Sequence, residues 1–178
     1  AVRERHHENR EPTNSLVAFP VDGSAAPRVI VSGHDFFASP RVSPDGTRLA
    51  WLAWDHPNMP WDGTGLWVGA LDAGGSVSEP ERVAGSVDES IFQPEWSPGG
   101  ELHFVSDRTG WWNLFRLADG HVEALHLMDA EFGDPLWVFG MRRYGFLLED
   151  RIFVMYYDDG FTRVGVLEGD SLRQLERR

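Results

Sequence analysis

A tight-turn motif occurs twice in this chain, and its recurrence limits the fold more than any single residue does. Ser43-Pro44-Asp45-Gly46 and Ser97-Pro98-Gly99-Gly100 each follow an apolar stretch led by a proline, Pro40 or Pro94. Each is trailed by an apolar-rich run, Leu49-Ala50-Trp51-Leu52 or Leu102-His103-Phe104-Val105. Proline presets φ at the second turn position, Asp tolerates the third, and Gly accepts a positive φ. Two such turns between strand-like runs predict repeated β-hairpins.

The period can be read away from the motif as well. Leu16, Leu66, Leu114 and Val164 lie in similar strand-like segments and recur about every 50 residues. A Gly- or Asp-containing turn follows each (Asp22-Gly23, Gly74-Gly75, Asp119-Gly120, Gly169-Asp170), and then a short run carrying Val or Leu. A unit of this length holding four short strands is the signature of a β-propeller blade. The rival is a β-sandwich whose spacing is coincidental.

Composition fits an all-β chain. The 178 residues include 8 Trp, 11 Phe, 19 Gly and 11 Pro, with no extended helical periodicity. No apolar run approaches the ~20 residues a membrane-spanning helix needs, so no membrane partner is expected. The absence of cysteine excludes disulfides and thiolate chemistry. The charged N-terminal segment has no apolar centre of the kind a secretory leader carries. The expected localisation is cytoplasmic. A net charge of −12 repels phosphate backbones and argues against nucleic-acid binding.

Four units follow along the chain, approximately 1–33 (incomplete), 34–85, 86–127 and 128–178. Strands are labelled a to d outward from the hub. The first unit supplies b, c and d at Val2 to His6, Ser15 to Pro20 and Arg28 to Val31. The second runs Phe37 to Val42, Thr47 to Trp54, Gly65 to Leu71 and Glu81 to Ala84. The third runs Phe92 to Trp96, Glu101 to Ser106, Trp112 to Leu117 and His121 to Leu125. In the fourth, Leu136 to Phe139 reads as strand a, continued by Tyr144 to Leu148, although no Ser-Pro-Asp-Gly turn follows. Trp51, Phe104, Trp96 and Trp137 are expected to pack between blades. The fold class is therefore all-β, a partial β-propeller of about three and a half four-stranded antiparallel blades. A piece of a larger ring exposes blade faces, so homo-oligomerisation through those faces is expected.

Three segments carry a family resemblance. They are Ser43 to Trp51 with Trp54-Asp55-His56-Pro57-Asn58-Met59-Pro60-Trp61-Asp62-Gly63, Glu89 to Pro98, and Val105-Ser106-Asp107-Arg108-Thr109-Gly110-Trp111-Trp112-Asn113-Leu114. Together they resemble the propeller of prolyl oligopeptidase-family serine peptidases, most closely the bacterial dipeptidyl aminopeptidase/acylaminoacyl-peptidase branch. Gly99, where that family usually has Asp, and the motif-free fourth unit depart from the pattern. The Ser-Pro-Asp-Gly element is shared with TolB-like propellers, which leaves a non-catalytic protein-interaction propeller as the alternative. The resemblance implies a two-domain parent. Its α/β-hydrolase domain would carry Ser, Asp and His, and its propeller would gate access by short peptide substrates. Peptide substrate and that hydrolase domain are the implied partners.

No residue of this chain is expected to catalyse the reaction. A nucleophile elbow needs Gly-x-Ser-x-Gly on a strand-to-helix turn, and no serine here has glycine on both sides. No cofactor is expected. No metal is expected either, because His6-His7-Glu8 and Asp55-His56 lack the three or four ligands that zinc requires. Blade topology places the b–c loops and the blade-to-blade connections on one face, opposite the tight turns. The substrate-facing candidates on that face are Asp88, Glu89, Asp55, His56, Trp61, Asp107, Arg108 and Trp111. The resemblance to dipeptidyl peptidases suggests Asp88-Glu89 as a site for a peptide's free amino terminus, although no convincing match to their double-Glu motif exists. The competing reading makes these two residues turn and strand-start positions.

Overall fold

The computed structural model describes residues 1–148 and 150–175. Fifteen strands are arranged as four antiparallel sheets, built from consecutive stretches of chain. The first sheet holds β1 (Val2–His7), β2 (Arg10–Ala18) and β3 (Arg28–Val31). The second holds β4 (Phe36–Val42), β5 (Arg48–Trp54), β6 (Gly65–Leu71) and β7 (Val77–Ala84). The third holds β8 (Ile91–Trp96), β9 (Leu102–Ser106), β10 (Asn113–Ala118) and β11 (His121–His126). The fourth holds β12 (Tyr144–Leu148), β13 (Arg151–Asp158), β14 (Phe161–Glu168) and β15 (Ser171–Gln174). The architecture is the all-β partial propeller, and each sheet is a blade.

Period-two alternation within single strands decides which blade each side chain meets. In β5, Leu49, Trp51 and Ala53 pack with Leu16, Val2 and Val31 of the first blade. The intervening Ala50 and Leu52 pack with Ile91, Leu102 and Phe104 of the third. In β9, Leu102 and Phe104 face the second blade, whereas Val105 faces Val154 and Tyr156 of the fourth. Inner strands buried on both faces therefore read as continuous apolar runs, and Leu49 to Ala53 is buried at every position. Each fully buried Leu, Phe or Trp in these seams contributes about 1.5–3 kcal/mol.

The turn chemistry works as its residues imply. Gly46 N–H donates to the Ser43 carbonyl at 2.9 Å, and Gly100 N–H donates to the Ser97 carbonyl at 2.9 Å. Asp45 accepts from Ser43 Oγ at 2.6 Å and from Thr47 N–H at 3.0 Å. The hydroxyl of Ser43 is the larger of these influences, and together they hold the Asp45 carboxyl down at about 2. The innermost strands of blades two and three share a bulge. Ser39-Pro40 lies opposite one residue of β5, and Gln93-Pro94 lies opposite one residue of β9. Ser39 and Gln93 sit in the left-handed region, at φ +50° and +48°. Proline after each has no N–H to leave unpaired, which makes it tolerable at a bulge.

Several expectations need correction. Leu136 to Phe139 is not a strand, and the innermost strand of the fourth blade is β12 alone. The apolar residues at 136–139 have no cross-strand partner because they form an irregular connection. Trp137 is accordingly 69 % exposed rather than packed between blades. Strands β2 and β7 start earlier than expected, at Arg10 and Val77. Polar outer strands carry little hydrophobic pattern, and ladder pairing alone extends them. The expected end of the fourth unit at Arg178 lies outside the described residues.

Candidate functional site

Antiparallel order puts five long segments on one face: residues 32–35, 55–64, 85–90, 107–112 and 127–143. The tight turns lie opposite. Function concentrates where long loops stand on a rigid scaffold, and here backbone contacts fix the loops to one another. The Pro60 carbonyl accepts from Thr64 Oγ1 at 2.5 Å and from Ser90 Oγ at 2.9 Å. Asn58 Nδ2 donates to the Val87 carbonyl at 2.6 Å, and Thr64 N–H donates to the Glu89 carbonyl at 2.9 Å. Contact is close enough to require glycine. A Cβ on Gly63 would lie 2.2 Å from the Val87 oxygen, and one on Gly85 would lie 1.9 Å from the Thr64 oxygen.

Two dipeptides in reversed order form a clasp at one end of this face. Phe36 pairs with Trp54 in the β4–β5 ladder, and continuing that register sets Asp35 opposite Asp55. His34 Nδ1 donates to Asp55 Oδ2 at 2.8 Å, and His56 Nδ1 donates to Asp35 Oδ2 at 3.0 Å. The Asp55 carboxylate also accepts the Asp35 N–H at 2.7 Å, and Asp35 accepts the His56 N–H at 3.0 Å. The His56 N–H, followed by its ring, holds the Asp35 carboxyl below the ordinary range. Phe36 stacks on Trp54 with ring centroids 5.4 Å apart, beside this clasp.

A second set of contacts joins the 85–90 connection to the loop that follows β9. Glu89 Oε1 accepts from Ser106 Oγ at 2.6 Å and from Arg108 Nε and Nη2 at 3.0 and 2.8 Å. Asp107 Oδ1 accepts the Ser90 N–H at 2.8 Å, and burial raises the Asp107 carboxyl above its usual range. Arg143 clips the long 127–143 connection at its base. It pairs with Asp134 through two nitrogens, donates to the Tyr157 hydroxyl, and lies 4.4 Å over the Tyr157 ring. The Asp134 hydrogen bonds keep the Arg143 guanidinium above its ordinary pKa.

Among the expected candidates, Glu89, Asp107 and Arg108 come together around Ser90 and Ser106. Asp55 and His56 belong to the clasp instead. Asp88 is exposed, and its N–H donates to Ser86 Oγ at 3.2 Å, so the adjacent acidic pair is split between a solvent-facing and an ion-paired residue. Trp111 is 39 % exposed, and Trp61 meets Trp137 with centroids 4.2 Å apart. Sequence reasoning missed His34, Trp137 and Phe139 as site residues. The reversed His-Asp and Asp-His pairs flanking one hairpin were the available signal for His34. Among the described residues, no three His, Asp or Glu side chains converge as metal ligands.

Between the first two blades and the 136–139 segment lies an apolar groove of about 700 Å³. Val2, Glu4 and Asn14 line it from the first blade, and Phe36, Phe37, Trp54, Met59, Pro60 and Trp61 from the second. Leu136, Trp137, Val138 and Phe139 close the other side. The arrangement offers flat apolar surfaces with one carboxylate, Glu4, among them, which suits binding rather than bond cleavage.

No family model and no curated protein matches the chain. Solved structures do. A puromycin hydrolase matches at 38 % identity and a TM-score of 0.87, over 93 % of this chain and 26 % of its own. A puromycin-hydrolysing peptidase from Mycobacterium tuberculosis matches at 36 % identity and a TM-score of 0.90, over 99 % of this chain and 29 % of its own. Two more distant likenesses show the fold alone. Prolyl oligopeptidase B from Galerina marginata matches at 13 % identity with a TM-score of 0.71, over 99 % of this chain and 25 % of its own. TolB from Acinetobacter baumannii matches at 18 % with a TM-score of 0.60, over 92 % and 37 %. The chain thus spans between a quarter and a third of the length of the two puromycin-hydrolysing relatives. It belongs to the prolyl oligopeptidase family of peptidases and is part of the propeller of that family.

Proposed function

We propose that this chain is the non-catalytic, substrate-gating portion of a serine peptidase of the dipeptidyl aminopeptidase/acylaminoacyl-peptidase type. Its substrates would be short peptides and aminoacyl amides such as puromycin. The observation carrying this reading is the match to two puromycin-hydrolysing enzymes at 36–38 % identity over 93–99 % of the chain. The long-loop face supports it physically. It presents carboxylates and indoles on loops whose backbones are tied together, so the surface is preorganised and loses little freedom on binding. Glu89 already shares Oε1 with Arg108 and Ser106, and its side chain is only 17 % exposed. A substrate ammonium at this pair would therefore meet Asp88 more readily than Glu89.

The test is an assay of the whole parent polypeptide. Puromycin should be cleaved to the free amino acid and the aminonucleoside, and a fluorophosphonate that phosphonylates nucleophilic serines, with loss of fluoride, should abolish the activity. An intact parent that binds no fluorophosphonate and leaves puromycin and short peptides uncleaved would overturn the reading.

A further inference from the structure

Trp137, Val138 and Phe139 are three consecutive apolar residues, each at least 64 % exposed, on a connection that the Asp134–Arg143 pair closes at its base. Trp137 N–H donates to the Pro135 carbonyl at 2.8 Å, which turns the segment tightly just before the three side chains. Exposed apolar surface of this kind is retained where it binds something. The segment is held against Trp61, and the resulting groove of about 700 Å³ has the size of a small-molecule site. Its polar lining is sparse. Asn14 is already engaged with the Asp35 carbonyl at 2.7 Å, and the one charged lining residue is Glu4, whose Oε1 lies 2.7 Å from His6 Nε2 on the exposed side.

From this we propose that the groove recognises the aryl side chain of a cationic aminoacyl substrate, a conclusion that rests on the peptidase reading above. The ring lies against the Trp61–Trp137 and Phe36–Trp54 pairs, where offset or edge-on aromatic contact adds to simple area burial. The α-ammonium stays at the rim near Glu4, within the field of a chain carrying a net charge of −12. The same field disfavours anionic aryl ligands. Aromatic side chains are thereby selected over small ones by the propeller itself.

The experiment compares kcat/KM of the parent polypeptide for L-phenylalaninamide and L-alaninamide, two substrates that share one leaving group. Trp137→Ala should lower the phenylalanyl-to-alanyl ratio at least tenfold, and Phe139→Ala should lower it in the same direction. Val21→Ser, on the opposite face, should leave the ratio as in the wild type. Both side chains are exposed, so neither truncation removes core packing. Turnover of both amides with a ratio unchanged within twofold in both groove variants would overturn the groove assignment while leaving the peptidase reading standing. If neither amide is turned over, tryptophan fluorescence titrated with phenylalaninamide decides the groove, while puromycin cleavage and fluorophosphonate labelling decide the peptidase reading. Saturable quenching that is lost in Trp137→Ala supports it, and its absence in the wild type overturns it.

Discussion

His103 is a titratable residue placed in a seam by strand alternation. It lies in β9, 3 % exposed, with its ring edge-on to Phe146 at 4.9 Å and Nδ1 3.3 Å from the Glu101 carbonyl. Burial is the largest influence on it and pushes its pKa below the ordinary 6.5, outweighing the opposing pull of the Glu101 carbonyl and carboxylate. The unfolded chain therefore binds a proton at higher pH than the folded one. The stability this residue contributes is complete above pH 6.5 and erodes as pH falls from 6.5 toward the folded value. Urea unfolding at pH 7.5 and 5.0 should show a smaller loss of stability in His103→Gln than in the wild type. Equal losses would place the acid sensitivity elsewhere.

At the scale of elements, the bulge of β8 is a joint between blades. Gln93 Oε1 accepts the Arg143 and Tyr144 N–H groups at 2.6 and 3.3 Å, while its Nε2 donates to the Tyr144 carbonyl at 2.8 Å. The Tyr144 hydroxyl returns a bond to the Gln93 carbonyl at 2.8 Å. One side chain thus supplies polar partners at the start of the innermost strand of blade four, whose other edge pairs with β13. Gln93→Ala orphans buried backbone groups and should lower stability by on the order of 2–4 kcal/mol. The same change at the equivalent Ser39, which is only half-buried, should cost about 1 kcal/mol or less. Denaturant midpoints of the two variants measure the difference. This joint also marks how far the sequence could be read. Pro40 and Pro94 revealed the repeat, and apolar alternation located β5 and β9. Neither feature shows that Gln93 reaches across to the next sheet, because a glutamine in a strand has no pattern of its own. The 136–139 segment misled for the opposite reason. Leu-Trp-Val-Phe has strand composition, but its side chains serve a groove rather than a ladder. The loops of the candidate face could be found from their length and acidity. The pairing of Glu89 with Arg108 could not, since it depends on the β8–β9 register being carried on into the flanking loops.

Among the described residues, four blades make three seams, so each outermost blade keeps one face without a sheet against it. In the fourth blade, Ile152, Val154 and Tyr156 point into the seam with blade three. Register then sets Phe153 with Val166, and Met155 with Val164, on the other face. Phe153, Met155 and Val164 are partly exposed there and form an apolar strip along the sheet. Two influences oppose each other at this face. Burying the strip against another surface would gain roughly 25 cal/mol for each Å² covered, whereas the net charge of −12 resists association of like chains. Salt weakens the second and leaves the first, because the Debye length shrinks from about 10 Å at 0.1 M to about 3 Å at 1 M. Sedimentation velocity at tens of micromolar chain should therefore show self-association that grows with sodium chloride. Phe153→Asp, which sets a charge in the middle of the strip, should return the chain to a monomer at every salt concentration. A wild-type chain that stays monomeric in 1 M salt would mean that this face is not adhesive, and that the −12 charge is not what keeps copies apart.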